Sequence, residues 1–193
     1  MENEKLRKFL QSTNLVSSAM AIEISDQFTK QIINKGDFQV KEGLVCNDYL
    51  FLEKGFMRAF AYDTNGNEIT TNFYFENQVV FEVSSFFNRT PSKENIQCLT
   101  ECEGWSITYE QLNRLFHSLP DFREFGRSVL VKGFASLKTR MLSMITETAE
   151  ERYAQLLKTD PEIFQRASLK YIASYLGVTD TSLSRIRKDL SKK

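Results

Sequence analysis

The hydrophobic period of this chain changes once, at Pro120, and that change bounds the fold. Before it, from about 36 to 117, short β-rich runs alternate with turn signals at Gly36-Asp37, Gly43, Lys54-Gly55 and Asn65-Gly66-Asn67. Most of the chain's aromatic residues lie here, where they suit the core of an all-β barrel or sandwich. Segments 56–62 and 69–75 flank a glycine-bearing turn and read as a hairpin. From Pro120 to about 146 the period is helical. Leu130, Phe134, Leu137, Met141 and Met144 step by four, three, four and three. This is a heptad seam on a helix of about seven turns. The stripe can bury against its own barrel or against a second copy of the chain across a two-fold axis, and the helix length favours the second. Gly126 and Gly133 share one face and suit the close approach of another helix.

The flanks read as helical. In residues 1 to about 34, Leu6, Phe9 and Leu10, then Ile22, Ile24, Phe28 and Ile32, recur at roughly helical spacing, interrupted at Ser12-Thr13-Asn14. After Thr146, short helices are separated by Asp160-Pro161 and Gly177. The whole is 193 residues, enough to bury a core without metal or disulfide staples.

Composition narrows the function classes. No apolar run approaches the ~18 residues of a membrane span. The opening Met1-Glu2-Asn3-Glu4-Lys5 lacks the apolar stretch of a secretion signal, and three cysteines fit a reducing cytoplasm. A single histidine, His117, argues against a His-rich metal site. No glycine-rich phosphate loop or nucleophile–base motif is present, so an enzyme is not expected. Cys46, Cys98 and Cys102 are one ligand short of an iron–sulfur centre. Cys98 and Cys102, four apart, are expected on one face of a strand. Two small buried hydrophobes suit them better than a redox pair or a soft-metal site.

Net charge is zero, but unevenly spread. Arg166, Lys170, Arg185, Arg187, Lys188, Lys192 and Lys193 face only Asp180 and Asp189 at the C-terminal end, leaving an acidic body behind. A basic end on an acidic body suits a polyanion, or simply a solvated tail. The segment 169–188, LKYIASYLGVTDTSLSRIRK, decides between them. Counting from Leu169, a small residue (Ala173) is fifth and a glycine (Gly177) ninth. Ile172, Leu176, Val178, Leu183 and Ile186 fill the apolar positions. This is the register of a helix-turn-helix, with Ser168 and Thr179 placed to cap its two helices. In that motif the second helix enters the major groove of DNA. Arg185 is the candidate for bidentate contact to guanine, and Thr181, Ser182 and Ser184 can reach bases or phosphates. Ser168, Lys170, Thr179, Arg187 and Lys188 suit the backbone, while Asp180 accepts from a cytosine amine or stabilises the helix start.

A β-rich front, a seam helix and a C-terminal helix-turn-helix together resemble the cyclic AMP receptor protein / fumarate–nitrate reduction regulator (Crp/Fnr) superfamily of transcription factors. Segments 150–153, 170–179 and 183–187 look like the branch common in Bacteroidetes. The resemblance implies an α+β fold. Residues 1–119 form a cyclic-nucleotide-binding-like β jelly roll that takes an effector. Residues 120–146 form a dimerisation helix, and 147–193 a winged helix-turn-helix, hinged near 145–147. Only Ser191-Lys192-Lys193 follows Leu190, so the wing is expected to be short or missing. The implied partners are double-stranded DNA, a second copy of the chain, RNA polymerase and a small-molecule effector, in the cytoplasm, with no metal and no membrane.

By the same resemblance the effector pocket includes Phe81, Glu82, Val83, Arg89, Ser92 and Lys93. Glu82 matches the family's ribose-binding acid. Phe81 replaces a glycine that admits the ligand, and Ser92 stands where the phosphate-binding arginine is expected. A buried phosphate needs a matching cation; Lys93 or Arg89 can substitute for it, but lysine is a point charge without the bidentate fork. Cyclic AMP is therefore disfavoured, and a different effector or none is expected. The competing reading is a ligand-binding or protein-interaction module of this fold that does not touch DNA.

Overall fold

The structure is a computed structural model and describes residues 3–190. Two short helices, α1 (Glu4–Leu10) and α2 (Ser18–Ser25), lead into eight strands. These are β1 (Thr29–Ile33), β2 (Phe38–Val40), β3 (Asp48–Lys54), β4 (Met57–Tyr62), β5 (Glu68–Tyr74), β6 (Gln78–Val80), β7 (Asn95–Cys98) and β8 (Cys102–Thr108), with helix α3 (Val83–Asn88) between β6 and β7. They pair as two antiparallel sheets, β1-β8-β3-β6 and β2-β7-β4-β5. Leu50, Leu52, Met57, Ala59, Ile96 and Ile107 contribute to the core these sheets share. A fully buried Leu, Ile or Met among them contributes about 1.5–3 kcal/mol. The β4–β5 hairpin is built as its sequence asks. The Asp63 carboxylate accepts from the backbone N–H groups of Asn65 and Asn67, both at 2.8 Å, and closes the turn.

Two boundaries differ from the sequence reading. Residues 29–33 continue the apolar spacing of α2 but form strand β1, paired with β8 from Thr29↔Ser106 to Ile33↔Cys102. The run Thr29, Ile32 and Ile33 is β-branched, and the open edge of β8 outweighs the helical spacing. The β-rich zone ends earlier than expected, at Thr108. There a capping box with Gln111 starts helix α4 (Tyr109–Ser118).

Helix α5 (Pro120–Thr146) is the 27-residue seam helix, with Pro120 opening its first turn. Gly126 serves an approach within the chain: a Cβ there would stand 2.7 Å from the Phe116 ring of α4. Glu147 is extended, and Thr148 restarts the chain as α6 (Ala149–Thr159) through a second capping box with Glu151. Then follow α7 (Ile163–Arg166), α8 (Leu169–Tyr175) and α9 (Asp180–Leu190). A second core joins Phe56 and Phe73 of the barrel to Tyr153, Ile172, Leu176 and Leu183 of these helices. Among the described residues, no helix is long and apolar enough to cross a membrane.

Candidate nucleic-acid interface and effector pocket

Helices α8 and α9 occupy the segment in which the motif 169–188 is read. Ser168 caps α8 by accepting from Tyr171 N–H, and Thr179 accepts from Ser182 N–H at the start of α9. Gly177 turns the chain with φ +69°, where a side chain would be strained and would meet the Met144 methyl. Ile172, Ala173, Leu183 and Ile186 are buried, which fixes the outward face of α9. Asp180, Thr181, Ser184, Arg185, Arg187 and Lys188 are exposed on that helix, and Ser182 is half-buried. Two hydroxyls are already engaged: Ser184 donates to Asp180 C=O, and Ser182 pairs with Thr179. Thr181, Arg185 and Lys188 step by four and three and form one stripe along the helix. Lys170 is exposed beside this motif at the start of α8. Ser191-Lys192-Lys193, on which the expectation of a short or missing wing rests, lie outside the described residues.

The seam helix presents Leu130, Phe134, Leu137 and Met141 to solvent in the single chain, Phe134 at 69% exposure. Val131, Leu142 and Ile145 widen the apolar face. Met144 differs from its seam neighbours, because its methyl also rests on the turn at Gly177.

The residues of the expected effector pocket are spread over the end of β6, helix α3 and the turn before β7. Phe81 is buried against Tyr49 and Phe86, with ring centroids 4.9 and 5.4 Å away. Glu82 is the N-cap of α3, where its two carboxylate oxygens accept from the N–H groups of Ser84 and Ser85 at 3.0 and 2.6 Å. Val83 is exposed. Arg89 is turned to the β3 side, donating to the C=O groups of Cys46 and Phe86 and covering the Tyr109 ring at 4.4 Å. Ser92 is buried and closes a local turn onto Glu94, while Lys93 points into solvent. The group that does share the region with Glu82 is Glu94. Burial pushes its carboxyl up, and the charge of Glu82 adds to the shift. Tyr74 is pushed up to about 12, chiefly by burial, with Glu94 and Glu82 contributing. The charge of Arg140 acts on Glu94 in the opposite direction. Spacing around Glu82 does not reveal Glu94, because the two meet only through the fold.

Comparison with known proteins agrees with this architecture. Residues 30–118 match the sequence family described as the cyclic nucleotide-binding domain. No curated protein sequence matches the chain. A transcriptional regulator of the Crp/Fnr family from Eubacterium rectale superposes with a TM-score of 0.74 at 17% identity, over 95% of this chain and 88% of that one. The c-di-GMP responsive global regulator CLP of Xanthomonas campestris gives 0.72 at 17% identity, over 91% and 92%. FixK2 from Bradyrhizobium japonicum gives 0.71 at 18%, over 86% and 85%. The chain has the fold of these Crp/Fnr structures, and its residues 30–118 are similar to the cyclic nucleotide-binding domain.

In this Crp/Fnr fold the C-terminal helices are docked on the outer face of the β4–β5 hairpin by groups the sequence did not single out. Arg166, counted above with the basic end, is turned inward. It donates to the Glu76 carboxylate at 2.8 and 2.9 Å and to Gly55 C=O at 2.8 Å. The Arg166 guanidinium holds the Glu76 carboxyl down at about 2. Ser174 of α8 donates to the Thr70 hydroxyl at 2.8 Å and accepts from Thr70 N–H. Arg140 of α5 ties both sides together through Thr71 C=O and Tyr175 C=O. Arg58 is fully buried between the rings of Phe60 and Tyr171, at 4.2 and 3.6 Å, and is paired to Glu68 at 2.6 Å. Its Nε and Nη1 have no partner among the described residues, which makes this a costly way to fill the contact. Arginines in strands and helices read as surface charge. Their burial depends on which aromatic rings the fold brings over them.

Proposed function

We propose that the chain is a homodimeric transcription regulator that binds palindromic DNA through α9, with its barrel taking an effector other than cyclic AMP. The observation that carries this reading is the solvent-facing stripe of Thr181, Arg185 and Lys188 on a capped helix whose opposite face is buried in a helix-turn-helix. A guanidinium held this way matches the paired acceptors of guanine in a major groove. The exposed face of α5 is the natural surface for a second copy, which supplies the two-fold symmetry a palindrome requires. Phe81 in place of the family's glycine and Ser92 in place of its phosphate-binding arginine deprive a cyclic phosphate of its partners, so the reading assigns the barrel a different effector. The Crp/Fnr solved relatives are regulators, and this chain's role is regulatory rather than enzymatic in the same reading. A cytoplasmic location and contact with RNA polymerase follow from that role.

The test is a selection of fragments from the source genome by the full-length protein at low salt. The expected result is enrichment of a two-fold symmetric sequence that is lost in Arg185→Ala. Absence of any enriched sequence, with or without added small molecules, overturns the reading in favour of a module that does not touch DNA. Titration with cyclic AMP is expected to leave both enrichment and thermal stability unchanged.

A further inference from the structure

The single strand expected through Cys98 and Cys102 is two strands: β7 ends at Cys98 and β8 begins at Cys102. The last residues of β7 hold the turn between β1 and β2. Gly36 N–H donates to Cys98 C=O at 2.8 Å, Cys98 N–H to Asp37 C=O at 2.9 Å, and Gln97 Nε2 to Gly36 C=O at 2.9 Å. Gly36 takes φ +91°, a conformation open to glycine. Lys35 stands in this turn, exposed and without an ion pair among the described residues. Asp37, the acid of the same turn, accepts from Asn34 Nδ2 at 3.4 Å.

Across a cleft of about 300 Å³ the turn meets the start of α8. Lys35, Gly36 and Gln97 line the barrel side, and Arg166, Ser168 and Tyr171 the helical side. The charge of Arg166 is taken up by Glu76 and Glu162. Lys35 has no such acid. Both walls are fixed, because the turn is bonded to β7 and the helices are held on the barrel through Arg166 and Ser174. The cleft therefore sets a barrel lysine beside Ser168, a residue assigned above to the DNA backbone, with Lys170 exposed two residues further on. In a helix-turn-helix the first helix crosses the phosphate backbone while the second enters the groove. A strand that crosses the start of α8 also passes the mouth of this cleft.

We propose that Lys35 is a DNA-positioning residue: through this turn the barrel binds a backbone phosphate of the duplex that α9 reads. The proposal rests on the DNA-binding reading of α9 and extends that interface onto the barrel. It makes the docked arrangement of barrel and helices the one that meets DNA. An ammonium on a flexible stem reaches a phosphate as a point charge, and a phosphate carries no sequence information. Lys35 therefore adds affinity and register without base preference, once on each half-site of a dimer.

The experiment titrates the full-length protein with its selected palindrome and with an unrelated duplex over a salt series. Lys35→Ala is expected to weaken binding to both duplexes by the same factor. The slope of log affinity against log salt is expected to shrink by roughly 2, about one for each protomer. Lys35→Arg is expected to keep affinity and slope, and so is Lys8→Ala, which removes a lysine of α1. Unchanged affinity and slope in Lys35→Ala overturn the proposal. So does an equal loss in Lys8→Ala, which reports net charge in place of a contact. A selective loss of the palindrome in Lys35→Ala assigns the lysine to a base and overturns the positioning role. Millimolar inorganic phosphate, added at constant ionic strength, is expected to leave the wild type and Lys35→Ala equally affected. Competition in the wild type alone marks a small-anion site and overturns the proposal too. If the wild type binds neither duplex, the reading of α9 fails and Lys35 with it; if the wild type and Lys35→Ala bind alike, only the role of Lys35 fails.

Discussion

Arg185 and Glu76 show how differently two charged residues can be read. Arg185 is legible: its place in the helix-turn-helix register leaves it exposed, and the buried faces of Leu183 and Ile186 confirm the orientation of α9. Replacing Arg185 by alanine is expected to lower affinity for the selected site about 10- to 100-fold, by roughly 1–3 kcal/mol. Binding to unrelated DNA is expected to change far less, as competition titration will show. Glu76 was not legible, because nothing local marks it as the partner of Arg166, ninety residues away. Its carboxyl lies at about 2 in the folded chain, against 4.5 when free. A depressed carboxylate stabilises above its unfolded value and loses that stabilisation as pH falls towards its folded value. Thermal melts are expected to show a loss of stability on acidification below about pH 4.5, progressing towards pH 2. Glu76→Gln is expected to be less stable at neutral pH and to lack that part of the acid loss. Glu82 is a third case. Its resemblance to a ribose-binding acid is a matter of position, and its two oxygens accept from the backbone of α3.

Secondary-structure elements were legible where one period ran unopposed. The seam of α5 spans 27 residues, and its bounds are those the sequence suggests. Strand β1 was misread because Phe28 and Ile32 prolong the spacing of α2, and only pairing with β8 distinguishes strand from helix there. Helix α4 was hidden by its aromatic content, although Thr108 and Gln111 mark its start as a capping box. Element α6 depends on a similar device. Thr148→Ala removes the acceptor for Glu151 N–H, and is expected to cost about 1 kcal/mol in chemical denaturation. The exposed stripe of α5 carries a prediction of its own. Phe134→Glu places a charge at the centre of the apolar face and is expected to convert a dimer to monomers in sedimentation velocity, with the fold retained by circular dichroism. A wild-type protein that sediments as a monomer at micromolar concentration would contradict the role assigned to the seam.

At the scale of the whole molecule, the barrel and the C-terminal helices are not two independent bodies in this conformation. They share a core through Phe56 and Phe73 and are clasped by Arg58, Arg140 and Arg166. The sequence could suggest a hinge near 145–147, since Glu147 interrupts the helices, but not the clasp, whose partners are brought together from strands and helices far apart in the chain. Undocking would return the buried guanidinium of Arg58 to water, where the N–H groups of its two unpartnered nitrogens find acceptors, so the clasp balances packing against desolvation. The account's central claim is that paired α9 helices read a duplex. It is tested most directly by the affinity of the full-length protein for its selected palindrome across a salt series. The account predicts two protomers per site and an affinity falling roughly a thousandfold or more between about 50 and 200 mM salt. Affinity indifferent to salt, or no binding at the low end of the series, would contradict it.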